Sequence, residues 1–244
     1  MKLRLYVITL IFMGLSCNVV ANENDKIEIV TSDLSPYSIE VGLRPGFMVE
    51  VLSLIEQRLN RQSPIHYYPW PRSQMLARSN DNHIIFPLTR TVKREKDYDW
   101  AIDVAPIEFV FVGFGYEHLT LAQAKQLDRI TVQSSTPFES FLLKNGFKNV
   151  VASPHASDTH LRLLEHNRVQ AWFTAKDLAQ YALLDNKKMK GLKMSEPMHV
   201  ARVYFAMSKK FPPSLKAEYI RVFNELREDG TIDYILKQYR GPSS

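Results

Sequence analysis

The stretch FPLTRTVKREKDYDW, residues 86–100, poses the main question of this sequence. An apolar run ends at Leu88, and the six positions after it hold two threonines and three cations: Thr89, Arg90, Thr91, Lys93 and Arg94. The pattern predicts a strand that runs into a helix, with Thr91 as the N-cap residue. Cations are mildly unfavourable at a helix N-terminus, which already carries partial positive charge. The stretch therefore indicates either a solvated surface or a site at which an anion binds.

Strand-like and helix-like segments alternate on both sides of this stretch. KIEIVTS, HIIFPL and FVFVGFG have the apolar patterns of strands, whereas GFMVEVLSLIEQRLN places its apolar residues on one helical face. A long helix is predicted from Pro213 to about Glu228, and a last helix over DGTIDYILKQY. Strands separated by helices predict an α/β fold, with mostly parallel sheets that carry helices on both faces.

Residues 1–21 have the order of a secretory signal peptide. Lys2 and Arg4 precede an apolar run to Val20, and small residues end at Ala21 before the polar NENDK. One competing interpretation is a membrane anchor, but the polar residues 16–18 leave the apolar run short for a bilayer. The other is lipidation at Cys17, although GLSC lacks an apolar residue three positions before the cysteine. We predict cleavage and a mature protein in the periplasm.

Composition excludes several functional classes. The chain has 244 residues, of which 45% are hydrophobic and 23% charged, and its net charge is +5. The cations are spread among acidic residues rather than clustered, which argues against nucleic-acid binding. Loss of residues 1–21 removes the only cysteine, so disulfides, thiolate catalysis and Cys-ligated zinc are excluded for the mature chain. His155 and His160 make only a weak zinc pattern, and we predict neither a metal nor a cofactor.

Four pieces of the sequence resemble periplasmic solute-binding proteins of family 3, the amino-acid-binding type. In chain order they are SPYSIEVGLRPGFMVEVLSLIEQRLN, FPLTRTVKRE, RITVQSSTPFESFL and FNELREDGTIDYILKQY, the last being the most specific. The resemblance implies a type II periplasmic binding protein fold, α/β with two lobes, two crossing strands and a ligand cleft. FVFVGFG and RVYFAMS would be the crossings. Residues 22–111 and 205–244 would form lobe 1, and residues 112–204 lobe 2.

The same resemblance implies a function and its partners. The protein would capture a small solute that bears a carboxylate, such as an amino acid, and deliver it to an ABC permease in the inner membrane. We expect a monomer that is not an enzyme. One alternative is a periplasmic sensor that hands its ligand to a receptor. The other is an enzyme resembling cyclohexadienyl dehydratases, for which Lys176 and Asp177 are the only nearby acid–base pair; turnover of prephenate or arogenate would reveal it.

Six residues are predicted to form the ligand site: Tyr37, Trp70, Leu88, Thr89, Arg94 and Thr136. The resemblance implies that Arg94 grips the carboxylate, that the loop at residues 88–89 donates N–H and hydroxyl groups, and that Thr136 adds a hydroxyl and an N–H from the other lobe. Tyr37 and Trp70 would be apolar walls, Trp70 from the end of a strand. Thr136 also fits a plain N-cap before Pro137, and Trp70 also fits a core position.

Two features stay open at this point. Arg72 could be a second anion contact or a surface cation, while Arg90 and Lys93 fit a solvated face. Amino-acid binders of the family place an Asp after the strand that reads AWF here, yet the matching position holds Ala175, with Asp177 two residues later. Either the alignment slips at this strand, or the ligand lacks an α-amino group.

Overall fold

A computed structural model describes residues 26–154, 157–184 and 191–240. The predicted signal peptide and His155 lie outside these ranges. Within them, no helix has both the length and the apolar character that crossing a bilayer requires.

The described chain alternates strands and helices, as its sequence predicts. The strands are β1 Glu28–Thr31, β2 Ile65–Tyr67, β3 His83–Thr89, β4 Asp99–Phe114, β5 Ile130–Gln133, β6 Val150–Ser153, β7 Ala171–Ala175, β8 Leu192–Met194 and β9 His199–Met207. The helices are α1 Phe47–Arg58, α2 Trp70–Ser79, α3 Leu121–Ala124, α4 Pro137–Lys144, α5 Ser157–Glu165, α6 Lys176–Leu184, α7 Pro213–Glu228 and α8 Thr231–Arg240. The long helix predicted over residues 213–228 is confirmed as α7.

The strands form two parallel groups joined by two antiparallel strands. Strand order is β2-β1-β3-β9-β4-β7-β5-β6, and β8 pairs with β4. β1 pairs in parallel with β2 and β3, and β5 pairs in parallel with β6 and β7. We refer to these groups as the β1–β3 half and the β5–β7 half. Parallel pairing requires helical crossovers, which explains the α/β rhythm of the sequence.

Strands β4 and β9 carry the chain between the halves. They pair with each other, β9 also pairs with β3 over Val203–Met207, and β4 pairs with β7 over Phe109–Val112. FVFVGFG covers the C-terminal part of a 16-residue strand and one residue beyond it, and RVYFAMS lies largely in β9. The predicted lobe boundaries, 111/112 and 204/205, fall inside these two strands; the division itself stays a prediction.

The helix predicted to begin after Thr91 is wrong. Residues Val92–Arg94 form a single 3-10 turn, Thr91 makes no capping hydrogen bond, and the chain enters β4 at Asp99. The physical reason is the lack of apolar residues in KREK that could be buried on a helical face. Trp100 instead packs on Tyr98, with ring centroids 5.8 Å apart. One turn has no appreciable macrodipole, so any anion site here must depend on side chains and nearby backbone groups.

The loop before α1 is held against the C-terminal helix. Gly46 has φ 99°, and its N–H donates to Tyr239 Oη at 3.0 Å. Tyr239 Oη in turn donates to the Glu50 carboxylate at 2.7 Å. The pKa of Tyr239 is raised, mainly by burial and next by the hydrogen bond to the Glu50 carboxylate. The Tyr37 ring packs 5.0 Å from Phe47, so these contacts fix the position of Tyr37.

Candidate functional site

A cavity lies where the two halves face each other beside the crossing strands. Its polar lining residues are Ser32, Thr89, Arg94, Gln133 and Thr136. Its apolar and aromatic lining residues are Leu34, Tyr37, Trp70, Pro87, Ile107, Pro137, Phe138, Leu178 and Val203. The cavity has a volume of only about 40 Å³, so it is narrow. A ligand larger than a few waters therefore requires its walls to separate.

The cavity sits at the carboxyl ends of strands from both halves. Ser32 follows β1 and Thr89 ends β3, while Gln133 ends β5. Open α/β sheets bind ligands in the crevice at this end of the strands. Ser32 and Gln133 were not predicted as site residues, although their place directly at predicted strand ends was a usable signal.

The structure brings five of the six predicted residues to this cavity: Tyr37, Trp70, Thr89, Arg94 and Thr136. Leu88 does not line it. Its side chain is buried in a separate cluster with Tyr98 and Ala206, and its backbone pairs with Tyr204 of β9. Alternation along β3 explains the difference, since Leu88 and Thr89 point to opposite faces of the sheet. The roles of all six residues stay predictions.

Arg94 has the only charged side chain among the described residues that line the cavity. Its Nη1 donates to the Thr89 carbonyl oxygen at 3.2 Å. Burial lowers the pKa of Arg94 below its usual value and the positive charge of Arg78 adds to this, whereas the nearby Tyr98 and Asp97 raise the pKa. The guanidinium stays charged near neutral pH. Among the described residues, no carboxylate forms an ion pair with Arg94. A half-buried cation with unused donors therefore faces the cavity.

Arg90 has the opposite surroundings. Its Nε and Nη2 donate to the two carboxylate oxygens of Glu95, at 3.0 and 2.5 Å. It is exposed and does not line the cavity, and Lys93 is also exposed. Both residues therefore agree with the solvated-face interpretation.

Thr136 is the N-cap of α4, and Pro137 is the first helical residue, as predicted. The Thr136 hydroxyl donates to the Gln133 carbonyl oxygen at 2.6 Å and accepts from the Glu139 N–H at 3.4 Å. A hydroxyl has a single hydrogen to donate. Thr136 can therefore donate its hydroxyl to a ligand only by giving up the bond to Gln133.

Trp70 lies in the first turn of α2 rather than at a strand end, so that part of the prediction is wrong. Pro69 and Pro71 flank it, and proline favours the start of a helix, which ends the strand early at Tyr67. Trp70 is half-buried and lines the cavity. Arg72 is exposed and lies over the Tyr68 ring, with 4.6 Å from its guanidinium carbon to the centroid, and it does not line the cavity.

No Asp or Glu is among the described residues that line the cavity. Ala175 is fully buried at the end of β7, and Asp177 lies in the first turn of α6 and does not line the cavity. The Lys176 ammonium pairs with the Glu108 carboxylate at 2.9 Å, also outside the lining. Neither member of the predicted acid–base pair thus faces the cavity.

The described residues contain no group of three or more His, Cys, Asp or Glu side chains that could hold a metal ion. His160 donates or accepts one hydrogen bond with the Thr131 hydroxyl at 2.7 Å and stacks on Trp172, with ring centroids 5.4 Å apart. These contacts place His160 inside the β5–β7 half.

No protein-family model matches the chain, and no curated protein matches its sequence. Solved structures do match. A histidine kinase sensor domain with similarity to periplasmic binding proteins is 17% identical, with a TM-score of 0.79 over 90% of this chain and 98% of its own. The ligand-binding core of GluR0 from Nostoc punctiforme, in complex with L-glutamate, is 13% identical, with a TM-score of 0.77 over 88% and 100% of the two chains.

A third similar structure is an amino acid ABC transporter substrate-binding protein from Streptococcus pneumoniae, bound to L-arginine. It is 15% identical, with a TM-score of 0.75 over 89% of this chain and 95% of its own. At such identities the likeness establishes the fold. The chain therefore has the two-lobed α/β fold of periplasmic binding proteins, as its four motifs predicted.

Proposed function

We propose that the protein binds a small solute through a carboxylate in the cavity between its two halves, with Arg94 as the main carboxylate partner. One observation carries this proposal: Arg94 is a half-buried cation on a cavity wall, and no carboxylate pairs with it among the described residues. Burying a charge without a partner is costly, and a bound carboxylate would supply the partner. An arginine also binds a carboxylate through two parallel hydrogen bonds.

The two halves would contribute different groups. Arg94 and Thr89 belong to the β1–β3 half, and Thr136 is the N-cap of α4 in the β5–β7 half. Amide N–H groups at the start of α4 favour negative charge. The Glu139 carboxylate already accepts from the Ser135 N–H at 2.7 Å, so a ligand would meet only the remaining donors. A carboxylate between these groups would bridge the halves, while Leu88 would act only through its backbone.

Binding should depend on the carboxylate rather than on the rest of the ligand. In a thermal-shift screen of small carboxylates, we expect at least one to raise the melting temperature of the protein. The reason is that a ligand present at a hundred times its Kd stabilises the native state by about 2.7 kcal/mol. The matched control is the primary amide of each acid, which keeps the shape but loses the charge. Equal shifts for acid and amide, or no shift with any acid, would contradict the proposal.

Export and delivery are the second part of the proposal. Residues 1–21 have the pattern of a signal peptide, and the S. pneumoniae structure with the same fold is an ABC transporter substrate-binding protein. The protein would therefore be released into the periplasm near Asn22 and pass its ligand to a permease. The intact mass of the exported protein should equal that of residues 22–244. A retained N-terminus, or a lipid on Cys17, would show the prediction to be wrong.

A further inference from the structure

The charges that line the cavity are unbalanced for a zwitterion. A free amino acid carries a carboxylate and an ammonium group, whereas the described lining contributes one cation, Arg94, and no Asp or Glu. Ala175 and Asp177, the two positions at which a carboxylate was sought in the sequence, both lie outside the lining. The cavity therefore has a charged partner for only one end of an amino acid.

The neutral acceptors of the lining are poor substitutes for a carboxylate. The carbonyl oxygen of Gln133 already accepts from Thr136, and that of Thr89 already accepts from Arg94. Ser32 accepts at its carbonyl oxygen from the Ser38 hydroxyl at 2.7 Å. Each carbonyl keeps at most one further lone pair, and neither these carbonyls nor the hydroxyl and amide oxygens of the lining carry a full negative charge. An ammonium group held here would lose its hydration without gaining an ion pair, which costs free energy.

Apolar groups make up most of the remaining wall. Leu34, Tyr37 and Trp70 come from the β1–β3 half, and Phe138 and Leu178 from the β5–β7 half. Such a wall gains free energy by covering apolar ligand surface, at about 25 cal/mol per Å². The cavity thus combines one cationic end with an apolar remainder.

We infer that the ligand is a small monocarboxylate with an apolar remainder and without an ammonium group, a class to which short-chain, branched-chain and arylalkanoic acids belong. This inference rests on the proposed function, because it assumes that the carboxylate binds at Arg94. It also explains why Ala175 stands where amino-acid binders of the family have an Asp, because a ligand without an α-amino group needs no acidic partner there.

Matched pairs of ligands test the inference. One pair of probes is 4-methylpentanoate and L-leucine, and the other is 3-phenylpropanoate and L-phenylalanine. The two members of each pair differ only in the ammonium group. The uncharged controls are 4-methylpentanamide and 3-phenylpropanamide. Calorimetry on the mature wild-type protein should give each bound acid at least about a tenfold lower Kd than its amino acid, which corresponds to about 1.4 kcal/mol.

The possible outcomes separate the two proposals. Amino acids that bind as tightly as their acids, with amides that bind weakly, would overturn this inference and leave the proposed carboxylate site standing. Amides that bind as tightly as acids would overturn the carboxylate site, and this inference with it. Failure of all six probes to bind would overturn the inferred ligand class.

The variant Gln133→Glu provides an independent check, because it adds a carboxylate to the lining with almost no change in volume. We expect Gln133→Glu to change the ratio between the Kd of the acid and the Kd of its amino acid by at least about tenfold in favour of the amino acid. The new carboxylate would pair with the ammonium group and would repel the acid. Gln133→Asn is the matched uncharged control and should leave the preference for the acid in place. An unchanged ratio in Gln133→Glu would contradict the inference.

Discussion

Replacing Arg94 with alanine is expected to weaken binding of the carboxylate by at least about thirtyfold, because truncating one partner of a desolvated ion pair commonly costs about 2–5 kcal/mol. The Arg94 guanidinium is half-buried, and no described carboxylate pairs with it, so the ligand would supply its counter-charge. Removing the side chain leaves the ligand carboxylate in the cavity without a charged donor. Calorimetry with the tightest carboxylate measures the loss, after thermal melts have shown that the variant still folds.

Two further variants separate this role from a general effect of charge. Arg94→Lys should restore binding only in part, because an ammonium group lacks the planar fork of a guanidinium. Arg90→Ala should bind nearly as well as wild type, because Arg90 is exposed and already paired through two hydrogen bonds with Glu95. If Arg90→Ala loses binding and Arg94→Ala does not, the carboxylate site lies elsewhere.

Gly46→Ala is expected to cost about 2–5 kcal/mol of unfolding free energy, the largest effect on stability that we predict. Gly46 has φ 99°, a conformation that L side chains rarely adopt. An added Cβ would also lie 2.6 Å from the Tyr37 carbonyl oxygen and 2.7 Å from the Ser38 backbone. Backbone atoms cannot rotate away as a side chain can, so the loop that carries Tyr37 must shift. Urea denaturation measures the loss.

Gly146→Ala is the matched control for this clash. Gly146 has φ 77°, but a Cβ there would meet no heavy atom within 4 Å. Its substitution should therefore cost only the strain of the left-handed backbone, about 1–2 kcal/mol. A loss at Gly46→Ala no larger than that at Gly146→Ala would mean that the loop before α1 adapts, and that Tyr37 is not held as the structure indicates.

Local sequence signals predicted several features of the fold around the cavity. The pair Thr136 and Pro137 predicted the start of α4, because an N-cap followed by proline has few other interpretations. The bounds predicted for α7, Pro213 to about Glu228, agree with the structure. The motif resemblance brought Arg94 and Thr136, 42 positions apart in the chain, to one cavity before any strand pairing was known.

Other features depend on contacts that local patterns do not encode. The family resemblance singled out Arg94, but no local pattern predicted that Arg90 pairs with Glu95, which depends on the path of the chain through the 3-10 turn. Thr91 resembles an N-cap, but whether a helix follows depends on apolar surface that the chain can bury there. Leu88 lies next to Thr89, yet the register of β3 with β9 turns its side chain into a different cluster.

The pairing of β4 with β9 was also beyond local prediction. These strands are separated by 84 residues and pair in antiparallel fashion with two register shifts. Antiparallel neighbours that are distant in sequence leave no periodic signal of their own. The resemblance to a known family, rather than the residue pattern, identified them as crossings.

A crystal structure of the wild-type protein bound to the carboxylate that gives the largest thermal shift would test the central claim most directly. The account predicts carboxylate oxygens within hydrogen-bond distance of the Arg94 guanidinium, contacts from both the β1–β3 half and the β5–β7 half, and the apolar remainder against Tyr37 and Trp70. A ligand bound outside this cavity, or one that turns its apolar end toward Arg94, would contradict it.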